Sequence, residues 1–359
     1  MAGGAEWRAM RRVRPVRDRP ASPDGVTCSM RALFAICAAF IVVCLIGYIP
    51  IMLKEKHVPR FDWGPEVNRN TSHYIRPDDN TTLLQPAGHS AGGCRPFLLV
   101  VVSSAVKNFP ARNAIRQTWG APANLPADVV IRFLVGTTAN GSLVENLIAE
   151  SEVHDDLVQQ DFVDVYSNLT LKTVMMLKWV TSSCQPNYIL KADEDMYVNI
   201  PRLHAYLKAE GRPDLITGAL ICNAEPRLDK YSKYFSPRYM FAARRFPAYV
   251  SGTAYVLGSD VAARLYRTAL TTPLYHLEDV FLTGICASKL GVRPTDHVGF
   301  TFWRRAMEPC EFNAVMMAHE LTPDELRAMW RRLQEPGLEA ACAAASPPYK
   351  PRKLVKCRR

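Results

Sequence analysis

The chain has 359 residues and a formal charge of +10, enough length to bury one large core or two smaller ones. The charge points to a nucleic-acid partner until it is located. Residues 1–31 hold seven arginines against Glu6, Asp18 and Asp24, and the last ten residues hold six basic side chains and no acid. Residues 32–349 are therefore neutral overall, which argues against a nucleic-acid face on the folded body.

From Ala32 to Leu53 no residue carries a charge. As a helix this run reaches across a bilayer, and Pro50 near its far end is tolerable there. The arginine-rich leader keeps the N-terminus in the cytosol, although Lys54, Lys56 and Arg60 soften the asymmetry. The reading is a cytosolic tail (1–31), a transmembrane signal-anchor (32–53) and a luminal remainder. A cleavable signal peptide is the second reading, against which the length and position of the run count.

The remainder suits a lumen. Asn70, Asn80, Asn140 and Asn168 each open an Asn-x-Ser/Thr sequon. Seven cysteines follow the apolar run: Cys94, Cys184, Cys222, Cys286, Cys310, Cys342 and Cys357. No CxxC pair or His/Cys cluster marks a zinc site, so disulfides are expected. An odd number leaves one thiol free or bonded to another chain, the second case giving a homodimer.

Residues 54–93 are polar and rich in Asn, Pro and Thr, and read as a luminal stem. Beyond it, apolar strand-like runs (Phe97–Val102, Val129–Val135, Tyr188–Ala192) alternate with helical spacing (Ala111–Trp119, 142–152, Leu169–Ser182). That order predicts a mostly parallel, doubly wound α/β sheet. No GxGxxG or P-loop occurs, so dinucleotide and simple NTPase readings lack their phosphate loops. The third strand runs into Asp193-Glu194-Asp195. Ligands of open α/β sheets bind beyond the carboxyl ends of strands. Two carboxylates two residues apart can face one hard cation there, Mg²⁺ or Mn²⁺, bridged to a diphosphate.

Five segments resemble the β-1,3-glycosyltransferases of glycosyltransferase family 31. Arg112-Asn113-Ala114-Ile115-Arg116-Gln117-Thr118-Trp119 is similar to that family's R-x-x-I-R-x-T-W segment, and Asp161 to Thr173 to its D-F-x-D-x-Y-x-N-L-T-L-K-T segment. Lys191 to Val198 sits at its Asp-x-Asp motif, Phe246 to Tyr255 at Y-P-x-Y-x-S-G-T-x-Y, and Glu278-Asp279-Val280-Phe281 at E-D-V-Y. The resemblance implies a GT-A-type catalytic domain over 94–340, a Rossmann-like sheet flanked by helices, with a basic tail at 341–359. It implies a Golgi membrane enzyme that transfers galactose from UDP-galactose, with Mn²⁺ or Mg²⁺, in β-1,3 linkage to a glycan on a glycoprotein or glycolipid. The galactosyl branch is chosen on Ser251-Gly252-Thr253-Ala254-Tyr255. N-acetylglucosamine transfer is the alternative within the family, and a catalytically silent luminal carbohydrate-binding protein is the alternative outside it.

Roles follow residue by residue. Asp195 would hold the metal, with Asp193 and Glu194 beside the donor. Ser103, Arg112, Arg116 and Lys172 are expected nucleotide contacts, with a structural ion pair as the competing role for each arginine and for the lysine. Asp279 is the expected general base of an inverting reaction, Glu278 pointing about 100 degrees away on the same helix. The chain departs from the family twice. Gly284 comes one residue later than the family's E-D-V-Y-x-G places it, and Phe302 stands where a G-F-x-H-W stretch has His. The second departure moves the expected metal histidine to His319, after a strand expected over Phe312–Met317.

Overall fold

The computed structural model describes residues 30, 32–44, 62–87, 94–344 and 352–357. The chain divides into one unit ending at Pro59 and a second from Arg60 onward. In the first, residues 32–44 are helical. Among the described residues no helix is long and apolar enough to cross a membrane. Positions 45–53 of the expected span, and the leader 1–29, lie outside the described residues.

The second unit is built on an eight-stranded sheet. Its strands are β1 (Thr82–Leu84), β2 (Leu98–Ser103), β3 (Val129–Thr137), β4 (Leu157–Val163), β5 (Tyr188–Asp193), β7 (Ile216–Ile221), β8 (Tyr249–Gly258) and β9 (Thr295–Asp296). They lie in the order β1-β4-β3-β2-β5-β8-β7-β9. The four central strands β4, β3, β2 and β5 are parallel, and β8 is antiparallel to both β5 and β7. β2 and β5 are apolar without a break because both faces are covered. Leu98, Val100, Val102, Leu190 and Ala192 point into one core, and Leu99, Val101 and Ile189 into the other.

The strand order reverses between β2 and β5, and their register pairs Ser103 with Asp193. Both residues stand at carboxyl ends, so the crevice an open α/β sheet offers a ligand opens beside them. A separate ribbon of β6 (Tyr197–Val198) and β10 (Met317–Ala318) lies next to that crevice. The expected strand over Phe312–Met317 is instead the helix Pro309–Ala314 followed by β10.

Two expected appendages belong to the folded body. The stem reading fails over residues 62–87. Trp63 and Ile75 are buried, the Trp63 indole donates to Ser167 O at 2.7 Å, and Arg69 donates to the carbonyls of Leu274 and Met240. β1 then adds an antiparallel edge to β4. A few apolar anchors and main-chain hydrogen bonds outweigh the polar composition that suggested a spacer. The basic tail is also docked over residues 352–357. Arg352 places both terminal nitrogens on Asp296 and donates to the carbonyls of His297 and Phe300, while Cys357 is disulfide-bonded to Cys222.

Cys94–Cys184 and Cys310–Cys342 complete three disulfides. Of the seven cysteines after the apolar run, the one left over is Cys286, which is fully buried. Burial pushes that thiol up to about 12. It is therefore not placed to bond a second chain, whereas Cys37 and Cys44, on the helix of residues 32–44, are free and exposed.

Candidate active site

The end of β5 is held by a residue that sequence reasoning passed over. Lys191 is a lysine inside an apolar strand, and it shares a face with Asp193 because side chains two apart in a strand point the same way. Its ammonium donates to Asp193 Oδ1 and to the Gly252 carbonyl, with Glu278 Oε2 at 3.9 Å. Burial pulls the Lys191 pKa down, but Asp193 and Glu278 outweigh it and leave it above the ordinary lysine value. A buried charge persists only when paired in this way.

Past the turn, the β6–β10 ribbon fixes the histidine. Met317 lies opposite Val198 and Ala318 opposite Tyr197, and Leu321 N–H donates to the Asp195 carbonyl. His319 Nε2 consequently lies 3.4 Å from Asp195 Oδ2. Asp193, Asp195 and His319 present ligand atoms within 4.8 Å of one another. Asp195 Oδ1 and His319 Nδ1 are buried without a hydrogen-bond partner, although an unmade bond is costly for such atoms. Burial raises the Asp195 pKa, an effect His319 opposes and Asp193 reinforces. Two carboxylates and an imidazole with an orphaned oxygen fit a hard divalent ion whose remaining positions go to phosphate or water.

Across Gly252 stands the second carboxylate pair. Asp279 Oδ2 accepts from Gly252 N–H at 3.0 Å and Oδ1 from Val280 N–H at 2.8 Å. Gly252 leaves room for this approach: a β-carbon there would come within 3.2 Å of Glu278 Oε2 and 3.3 Å of the Asp279 β-carbon. Glu278 is turned inward, accepting from the Tyr255 hydroxyl and facing Lys191. Burial raises both carboxyls. The backbone donors and Lys191 restrain Asp279, whereas Glu278 reaches about 7 with Asp279 adding to the rise. The two acids diverge in direction, as the helical spacing predicted. The late Gly284 is accommodated by a π-helix over Val280–Cys286, a form that absorbs one extra residue within a helix and is frequent at functional sites. Asp279 precedes the wider turn, so its placement against Gly252 is kept.

Asp193, Lys191, Gly252, Asp279 and His319 border one cavity of about 1000 Å³. Five residues expected at the donor, Ser103, Arg112, Arg116, Lys172 and Glu194, do not. Arg112 is buried and pairs with Glu150, its Nε at 2.7 Å, while its other nitrogens serve Ser104 Oγ and the carbonyls of Ala105 and Val106. Arg116 lies between Glu150 and Asp156. Lys172 binds Asp164 and the Ser104 carbonyl; burial lowers its pKa against the pull of Asp164. The Glu194 carboxylate turns away from the metal group to accept from Ser104, Ala105 N–H and Asn108. In this structure the two arginines and the lysine are engaged in ion pairs. Arg112 and Lys172 also bond the 104–108 loop, which in turn grips Glu194 at the tip of the acidic turn.

The Galactosyltransferase family profile matches residues 110–298, more than half of the chain. The chain belongs to the galactosyltransferase family and is a hexosyltransferase. Its relatives include β-1,3-galactosyltransferase 1 of Homo sapiens and of Mus musculus, each 38% identical over 240 residues, covering 66% of this chain and 73% of theirs. β-1,3-Galactosyltransferase 2 of Mus musculus is 36% identical over 273 residues, covering 72% and 64%. A galactosyltransferase solved with donor and acceptor sugar analogues superposes with a TM-score of 0.37 at 9% identity, over 66% of this chain and 96% of that one; a likeness so low adds nothing to the assignment.

Proposed function

We propose that the protein transfers galactose from UDP-galactose to the 3-hydroxyl of a glycan, with inversion and with Mn²⁺ or Mg²⁺, on a GT-A-type fold. The observation that carries this reading is the placement of Asp279 across Gly252 from the Asp193–Asp195–His319 group, with Lys191 bonded to Asp193 and to the Gly252 carbonyl. Asp193, Asp195 and His319 would hold the cation, which supplies charge neutralisation for the departing diphosphate when bound. Asp279 accepts the proton of the acceptor hydroxyl as that oxygen attacks the anomeric carbon from the face opposite the diphosphate. Its two backbone donors fix the carboxylate while leaving lone pairs for that proton.

The test incubates the full-length protein with UDP-galactose or UDP-N-acetylglucosamine, with and without Mn²⁺, and with β-galactoside and β-N-acetylglucosaminide acceptors. UDP release and the anomeric configuration of the product are measured. Metal-dependent formation of a β-1,3-galactoside is expected. Transfer of N-acetylglucosamine alone, retention of configuration, or a rate indifferent to chelator would each sink a named part of the reading.

A Golgi membrane enzyme with a luminal catalytic domain is part of the same proposal. Three disulfides suit an oxidising compartment. Asn70, Asn80 and Asn140 are exposed, and only Asn168 is half-buried, its amide donating to the Val163 carbonyl. Changing the exposed three to Gln should shrink an endoglycosidase-sensitive mass shift, and a chain without glycan in sealed microsomes overturns the topology.

A further inference from the structure

Residues 223–245 connect β7 to β8 and wall one side of the cavity. They carry six basic side chains, at 227, 230, 233, 238, 244 and 245, against Glu225 and Asp229, a net charge of +4 in a body that is neutral overall. The acids of this loop are already engaged. Glu225 faces Arg244 at 3.4 Å and Arg245 at 3.5 Å, and Asp229 Oδ1 accepts from Tyr231 N–H. Arg227 and Lys233 line the cavity and are exposed, and among the described residues neither forms an ion pair. Tyr166, Tyr234 and Phe302 border the same cavity, each about half exposed. Phe302 occupies the position where the family's stretch has His, which exchanges a polar group for an apolar face. Aromatic faces with a few placed polar groups are how pockets hold amphipathic rings. Unpaired guanidinium and ammonium groups beside them fit a carboxylate or sulfate oxygen.

We propose that this wall is an acceptor subsite for a glycan bearing an anionic group, a sulfate or a uronic carboxylate, beside the attacking hydroxyl. The inference rests on the galactosyl-transfer reading and names its substrate class. Arg227 and Lys233 pair with the anion, and Phe302 and the tyrosines hold the sugar ring. Asp193, His319 and Asp279 border the same cavity, so an acceptor held on this wall lies in the space the base faces.

The experiment uses the full-length protein in detergent with UDP-galactose and Mn²⁺. Three acceptors differ only at C6: benzyl β-galactoside, its 6-O-sulfate, and benzyl β-galacturonide. One or both charged acceptors should exceed the neutral one about tenfold in kcat/KM at low salt, because exposed pairs are individually weak and two act together. The advantage should shrink on raising salt to about 0.5 M. In the double variant Arg227→Gln/Lys233→Gln the charged-to-neutral ratio should fall towards one. Which charged acceptor gains tells sulfate from carboxylate. Equal kcat/KM for all three overturns the subsite and leaves the transferase reading standing. A double variant that raises the KM for UDP-galactose while the ratio holds also overturns it, assigning the cations to the donor diphosphate. Binding of the same three sugars in the presence of UDP and Mn²⁺, followed by tryptophan fluorescence, gives a readout independent of turnover. Preferential binding of a charged sugar without any transfer sinks the transferase reading and keeps the subsite.

Discussion

Two charged regions lie on either side of the 104–108 loop, and they behave oppositely. Behind the loop, Arg112, Arg116, Glu150 and Asp156 form a closed set in which Arg112 and Glu150 are almost fully buried and richly bonded. In front of it, Asp193 and Asp195 are each more than a third exposed, and Asp195 Oδ1 has no hydrogen-bond partner. Arg112 and Arg116 on one side, and Asp193 and Asp195 on the other, come from segments that resemble the family, so resemblance alone does not tell them apart. What separates them is pairing and exposure, since Arg116 Nη1 also lacks a hydrogen-bond partner. The first set pairs its opposite charges inside the protein, whereas Asp193 and Asp195 bring like charges together where solvent and a ligand can reach them.

The largest break in this comparison is Asp279→Asn. It keeps shape and most bonds but cannot take a proton, so turnover should fall by about two to four orders of magnitude while donor KM barely moves. Steady-state kinetics with UDP-galactose checks this. Glu278→Gln should cost far less, and if it proves the dead variant the two acids have exchanged roles. Next comes Asp195→Ala, which removes charge and geometry from the metal group. Donor affinity in Mn²⁺ should weaken by about a hundredfold or more, with the melting temperature nearly held, measured by calorimetric titration and a thermal scan.

Arg112→Met tests the buried side. Removing one partner of a buried pair costs about 3 kcal/mol of stability, at the low end of the usual range because Glu150 keeps Arg116. Denaturant titration reads it, and a variant of unaltered stability that had lost UDP binding would place Arg112 at the nucleotide after all. The smallest effect concerns pH. Glu278 titrates at about 7 when folded, above the ordinary value of 4.5. A raised acid favours the folded state while protonated, so this group's contribution is fully present below about pH 4.5 and is lost as pH rises towards 7. Glu278→Gln should flatten that part of the melting-temperature curve, and an unchanged slope would show that the carboxyl is not held in this way.

How much was legible follows the same division. The strands β2, β3 and β5 were visible because burial on both faces leaves continuous apolar runs, and the acidic turn stood out because three carboxylates interrupt one. The divergence of Glu278 and Asp279 follows from helical geometry alone. His319 was reached through an absent His at 302, but its route to Asp195 depends on the β6–β10 ribbon, a pairing more than a hundred residues apart that no local pattern records. The fates of Arg112, Arg116 and Lys172 were open because their partners Glu150, Asp156 and Asp164 are set by packing. Lys191 left a signal that went unused: a lysine in a buried strand must have acidic partners, and Asp193 was two residues away.

The segment 62–87 has a consequence for making the protein. A fragment begun at Cys94, where the sequence suggests the domain starts, would strip β1 from the outer edge of β4 and remove Trp63 and Ile75 from the core they share with the helix Leu169–Ser183. The uncovered β4 would offer a row of unpaired amides and carbonyls beside newly bared apolar side chains, the combination that recruits strands from other molecules. Such a fragment should appear mainly as inclusion bodies or soluble aggregates, and one begun ahead of Asp62 should run as a well-behaved species on gel filtration.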